Sequence, residues 1–93
     1  MSDAWLKSAE EFLWSADILQ TMGRYAQALL LACHALDICE KANRKEYSKE
    51  PLSHVPRKCI ELIFPQGDKT PEDLVSEEES LNMINTVKKC LGL

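Results

Sequence analysis

The chain has 93 residues, 11 lysines and arginines against 15 acids, and a formal net charge of −4. Such a length makes one domain over residues 1–93 and no more. It hides only roughly 60–65% of the unfolded surface, so the core must be dense or shared with a partner. Three glycines and few β-branched residues exclude an all-β fold. Charge is uneven along the chain: residues 1–40 and 59–93 each sum to −4, and residues 41–58 to +4. The basic island is read as a solvated connector in preference to an anion or nucleic-acid contact.

A first helix is expected from Ser2 or Asp3, either of which can cap it, with Ala4 and Trp5 opening its apolar face. That face continues through Ala9, Phe12, Leu13, Ala16, Leu19 and Met22, with Glu10, Glu11, Asp17 and Gln20 largely opposite. Trp5 and Trp14 differ by nine positions, nearly half a turn apart, so one of them must be exposed or lie at an interface. Gly23 supplies the left-handed residue that ends a helix, and the next begins almost at once. A joint so short makes the two helices antiparallel neighbours.

The second helix, Arg24 to Ala42, lacks both Gly and Pro and is the centre of the pattern. Tyr25, Ala28, Leu29, Ala32, Ala35, Leu36 and Cys39 mark one buried face, and Leu30, Leu31, Cys33 and Ile38 a second. A helix apolar on most sides is enclosed by neighbours. The expected enclosure is the chain on one side and a second copy on the other, through Leu30, Leu31, His34, Asp37 and Ile38. His34 and Asp37, three apart, can share a face and hydrogen-bond. The preferred role for that pair is structural, the Asp fixing a half-buried histidine at a contact.

Asn43 to Glu50 reads as a polar connector. A third helix is expected from Ser53, with Pro56 in its first turn, ending before Pro65. His54, Arg57 and Lys58 at its start form an anion candidate, and Arg24 at the hairpin tip is a further one. Pro65 to Asp68 is a turn by composition. Thr70-Pro71 caps a short helical turn, and Ser76 with Glu79 is a capping box for a last helix running to about Leu91, with Gly92 as its stop. The fold class is therefore all-α, an antiparallel up-and-down bundle of four main helices.

Cys33, Cys39, Cys59 and Cys90 form no CxxC pair, which argues against zinc. The opening MSDAWLK has no signal-peptide pattern, and no apolar run reaches the ~18–20 residues of a membrane span. The expectation is a cytoplasmic, reduced chain whose cysteines are small core hydrophobes rather than a disulfide framework. No cofactor, no metal and no membrane contact is expected.

The order Trp5-Leu6-Lys7-Ser8-Ala9-Glu10-Glu11, then Gly23-Arg24-Tyr25, then Ala28, Ala32 and Ala35, with Lys41-Ala42 and Ser53-His54, resembles the HEPN family over about residues 4–63. The resemblance implies a small helical bundle that acts by association, as a homodimer. It also implies companionship with a nucleotidyltransferase-type protein, and nucleotide or RNA binding. The chain departs from the family's frequent Gln-Gln pair at Cys33-His34 and from its Glu at Asp37. The ribonuclease members carry Arg, four to six residues, then His; here Arg24–His34 and Arg44–His54 each enclose nine, so that motif is absent. The expected role is non-catalytic, ahead of a degenerate ribonuclease using His34 or His54. Gly23-Arg24-Tyr25 with Ala28, Ala32, Ala35 and Leu36 also resembles one tetratricopeptide hairpin, which implies peptide binding; no second copy follows at its 34-residue period.

Overall fold

The computed structural model describes the backbone from Ser2 to Leu93 and side chains from Ala4 onward. Five helices follow in order: α1 Ser2–Thr21, α2 Tyr25–Arg44, α3 Arg57–Glu61, α4 Pro71–Leu74 and α5 Glu77–Leu91. Among the described residues the only ladder-type pairing is the isolated bridge Gln66–Lys69, which closes the turn around Gly67. Helix α1 already includes Ser2, so the capping side chains expected at Ser2 and Asp3 lie outside the described residues.

Gly23 takes φ +78°, as the joint requires, and Arg24 N–H donates to Leu19 O at 2.9 Å, turning the chain back on itself. Ala9 and Ala16 on α1 and Ala28, Ala32 and Ala35 on α2 are fully buried. Small side chains at these positions let two backbones approach closely. Leu13, Ala16, Ala32, Ala35 and Leu36 then share one core with Ile84 and Val87 of α5. Helix α5 runs in the same direction as α2. Leu29 faces Glu79 and Met83 across a common cavity at one end, and Asn43 and Glu40 reach Cys90 at the other.

The four-helix expectation therefore needs correction. Three helices are long, and the third member of the set is a five-residue turn of helix beginning at Arg57, not at Ser53. Pro56 stands just outside it as the N-cap residue, with φ −57° and ψ 147°. Residues 50–72 run back along α2 mostly without helical structure, and α5 keeps the direction a fourth helix would have had. The small bulk of this return segment leaves α5 in direct contact with α2.

The other punctuation is as expected. Ser76 Oγ accepts from Glu79 N–H at 3.1 Å, and Glu79 Oε1 accepts from Ser76 N–H at 3.3 Å, a reciprocal box starting α5. Gly92, at φ +78°, ends it. Asp73 accepts from the N–H and hydroxyl of Thr70 at 2.9 and 3.1 Å, starting α4. Trp14 is half exposed, and Trp5 is half-buried with its ring edge-on to Tyr47, centroids 5.2 Å apart.

Helix α2 has no capping side chain of its own, because Arg24 makes no such bond. The cap comes from α4. Glu72 Oε1 and Oε2 accept from Ala26 N–H and Gln27 N–H, each at 3.2 Å, placing a carboxylate on the positive end of the central helix. Glu72→Ala is expected to lower stability by about 1 kcal/mol, and Glu72→Gln, which keeps an acceptor, by less. Urea unfolding checks this: the midpoint falls with an unchanged slope, and an Ala variant with the wild-type midpoint would mean that the cap contributes nothing.

Candidate functional site

Cys33, Asp37 and Lys41 stand four residues apart on α2 and so form one line along it. The return segment docks on that line in reverse order. Lys41 Nζ donates to Glu50 O. Asp37 Oδ2 accepts from Leu52 N–H at 3.1 Å and Asp37 Oδ1 from His54 N–H at 2.9 Å. Cys33 is joined to Cys59 by a disulfide, with Cα atoms 6.1 Å apart. Asp37 and Lys41 also form an ion pair at 3.0 Å, both almost wholly buried.

Leu52 has φ +53°, a left-handed conformation costly for a branched side chain. The Asp37 carboxylate holds the N–H of that residue while its side chain fills the core beside Leu29, Cys59 and Leu62. Burial opposes ionisation of Asp37, but Lys41 and the two N–H donors outweigh it and keep the carboxyl below its usual range.

Where α1 and the return segment part, a cleft of about 380 Å³ opens beside this seam. Ala4, Trp5 and Ser8 wall it from α1, His34, Asp37, Ile38 and Lys41 from α2, and residues 48–51 from the connector. The His34 ring packs edge-on against Phe12 at 4.5 Å and does not bond to Asp37. The expected His34–Asp37 pair is thus replaced by a carboxylate engaged with backbone and Lys41. That leaves it no free lone pair aimed at a histidine to orient.

The other expected site residues are dispersed. His54 Nε2 lies 3.1 Å from Glu46 Oε2, Arg57 Nε 3.3 Å from Glu61 Oε1, and Lys58 pairs with Glu79. Each side chain of the anion candidate thus already faces its own carboxylate. Helix α3 is also too short to present a strong dipole. Arg24 is exposed at the hairpin tip, at the far end of α2 from the cleft. Of the expected contact residues, Asp37 and Ile38 are buried inside the chain, Ile38 against Ala9 and Cys39, so neither is presented to a second copy. Leu30, Leu31 and His34 are half-buried, with Leu31 packed on the α1–α5 core and Leu30 on the core under the return segment.

The cysteine expectation is corrected as well. Cys33 and Cys59 are bonded, because the return segment brings Cys59 opposite α2 after 26 residues. Cys39 and Cys90 are free thiols. Burial pushes both up; for Cys90 the neighbouring Cys39 and Glu40 push the same way.

A feature absent from the sequence reading is the outer face of α1. Trp14, Ile18 and Met22 follow one another at four-residue spacing with 50, 61 and 67% of their surface exposed. A second exposed apolar group, Ile60, Ile63 and Phe64, lies at α3. No helix among the described residues is long and apolar enough to cross a membrane, and no cluster of three metal-ligating side chains is found there. No family model, curated protein or solved structure matches the chain.

Asp37→Asn removes the charge that balances buried Lys41 and is expected to cost roughly 3 kcal/mol. The pH dependence follows from the same carboxyl. Its folded value lies below the ordinary 3.8, so its contribution is complete above that pH and is lost as pH falls through the folded value. Wild-type stability should drop on acidification in that range, and the Asn variant should lack this part of the drop. Urea midpoints measured from neutral pH down to about pH 2 check both statements.

Proposed function

We propose that this chain is a non-catalytic helical module that works by association, its first partner being a second copy of itself. The observation that carries the reading is the stripe of Trp14, Ile18 and Met22 along α1 and into the turn that follows it. Large apolar side chains so exposed, repeated at helical spacing, mark a contact surface rather than scattered surface residues. The stripe is also electrically quiet. Between Phe12 and Met22 the only charge is Asp17, and Lys88 of α5 lies 3.7 Å from it. Glu10 and Glu11 are exposed one turn before Trp14, so an antiparallel self-contact centred near Ile18 keeps these like charges apart. The contact is proposed for α1 rather than α2, because most of α2 is covered by its own chain.

The finer part of the proposal is an HEPN-like bundle in which residues 50–72 occupy the place of a third helix. Its support is the order of residues from Trp5 to Ile63. The same order motivates a nucleotidyltransferase-type partner and a nucleotide or RNA ligand; a cytoplasmic setting rests instead on the absence of a signal-peptide pattern in the opening residues. A phosphate at His54, Arg57 and Lys58 would have to displace Glu46, Glu61 and Glu79 from them. The Cys33–Cys59 bond argues against the cytoplasm, because disulfides persist mainly in oxidising compartments. Catalysis by His34 or His54 is the least supported reading. Asp37 is committed to the seam, and His54 is engaged by Glu46.

Light scattering coupled to gel filtration tests the association. The expected mass at micromolar concentration is twice the 10.6 kDa of one chain, and Ile18→Glu should halve it without changing the helical circular dichroism. A wild-type protein that stays monomeric up to about 100 μM, weaker than a specific contact of this kind, would end the reading.

The peptide-binding alternative, a tetratricopeptide-like hairpin, has one observation in its favour: the cleft lined by Trp5, Ser8, His34 and Ile38 lies between the two helices of that hairpin and the connector. It also requires the hairpin to stand without α5. Because Ile84 and Val87 are fully buried in the main core, deletion of residues 77–93 is expected to abolish cooperative unfolding. A truncated chain that still melts cooperatively would shift preference to the peptide groove.

A further inference from the structure

Cys39 and Cys90 meet where the C-terminal ends of α2 and α5 come together. Cys39 is fully buried, and Cys90 is half-buried in the last turn of α5. The two thiols share one neighbour, the Asn43 side chain. One amide nitrogen, Asn43 Nδ2, lies 3.8 Å from Cys39 Sγ and 3.5 Å from Cys90 Sγ, and Cys90 donates to Glu40 Oε1 at 3.5 Å. A recess of about 300 Å³, walled by Leu6, Lys7, Glu10, Asn43 and Leu91, opens onto Cys90; Cys39 does not line it. One thiol is therefore reachable, and the other is buried on the far side of the same Asn43 amide nitrogen.

We propose that Cys39 and Cys90 form a site for reaction with a small-molecule disulfide, which closes a second covalent link between α2 and α5. Burial and Glu40 hold the Cys90 proton on, so the reaction runs slowly through the small thiolate fraction, whose proton goes to solvent. The thiolate attacks one sulfur of the small disulfide, the S–S bond breaks, and one small thiolate leaves and takes up a proton. Cys90 is then joined to the other half of the reagent. Cys39, deprotonated in turn, attacks Cys90 Sγ and expels the second small thiol. Two protein thiols are oxidised, and one small disulfide is reduced to two thiols.

The fold directs this pairing. Cys33 and Cys39 are six residues apart on α2 and so face different sides of it. Cys33 is already bonded to Cys59 beneath the return segment. Each link would fasten one flank of the central helix, the first holding the return segment and the second the last turn of α5. Helix α5 supplies Ile84 and Val87 to the main core, so fixing its end raises the stability of the whole chain.

The test uses the full chain with oxidised glutathione as the probe. The expected result is that thiols counted after denaturation fall from two to none and the intact mass drops by two hydrogens. A Cys39–Cys90 cross-linked peptide appears, and the thermal midpoint rises by several degrees. Cys39→Ser should stop at a lasting glutathione adduct on Cys90. Cys90→Ser should leave Cys39 unreacted in the folded protein. The proposal is overturned by a wild-type chain that keeps both thiols, that retains glutathione on Cys90, or whose new bond joins either cysteine to Cys33 or Cys59.

Discussion

The structure depends on one buried carboxylate. Asp37 faces a partner that is neither a side chain across a bundle nor solvent, but the backbone of a segment with almost no regular structure. A non-helical chain laid against an apolar helix brings unpaired N–H groups into the core, where each costs on the order of 1–3 kcal/mol if left without an acceptor. Asp37 satisfies two of them and Lys41 satisfies a carbonyl, while each of the pair neutralises the other. Removing either leaves a charge in a place that cannot hydrate it. The cost of burying the pair is offset only because its remaining lone pairs and protons are used. The seam thus works as a unit, and the left-handed turn at Leu52 is held by it.

This arrangement explains why α2 is apolar almost all round while one chain of modest size suffices to cover it. Helix α1 covers one side through small residues, α5 a second through Ile84 and Val87, and the return segment a third. A greasy circumference had suggested a second copy as the missing cover. The missing cover is residues 50–72, whose bulk is small but which lie close because polar groups on both sides are paired. The gap left between this segment and α1 is the cleft at Trp5 and His34.

Local signals were legible in the sequence wherever a single turn of chain decides them. Gly23 had to be left-handed, Ser76 and Glu79 had to box a helix start, and Thr70-Pro71 had to open a turn; each needs only neighbours within four residues. The third helix was misplaced because Pro51 and Pro56 admit two readings locally, and the choice is made by Asp37, 15 and 17 residues away from the N–H groups it captures. The same non-local docking hid the Cys33–Cys59 bond. A signal was nevertheless present. Cys33, Asp37 and Lys41 repeat at four-residue spacing within a helix that is otherwise apolar, and a polar line inside a buried helix announces that irregular backbone packs there. His34 beside Asp37 drew attention to side-chain pairing instead. The α1 stripe was legible too, since Trp14, Ile18 and Met22 share one spacing. Met22, however, was counted on the buried face with Leu19.

The stripe bears on function because folding does not account for it. A side chain half or more exposed contributes little to its own core, so Ile18 and Met22 could be polar at small cost to stability, and solubility would gain. Residues buried for the fold behave otherwise, as Leu13 one turn away shows by being wholly enclosed. A twofold contact would use each of these side chains twice, once from each copy, so a short stripe covers twice the area that one chain offers. The separate patch at Ile60, Ile63 and Phe64 lies on a different element, and a twofold pair would include it only where α1 of each copy met α3 of the other. The charge pattern sets the two surfaces apart. The α1 stripe is nearly neutral, whereas Arg57, Lys58 and Glu61 surround the α3 patch with charges. A neutral surface meeting itself and a charged surface left outside is the arrangement that both the apolar and the ionic residues favour.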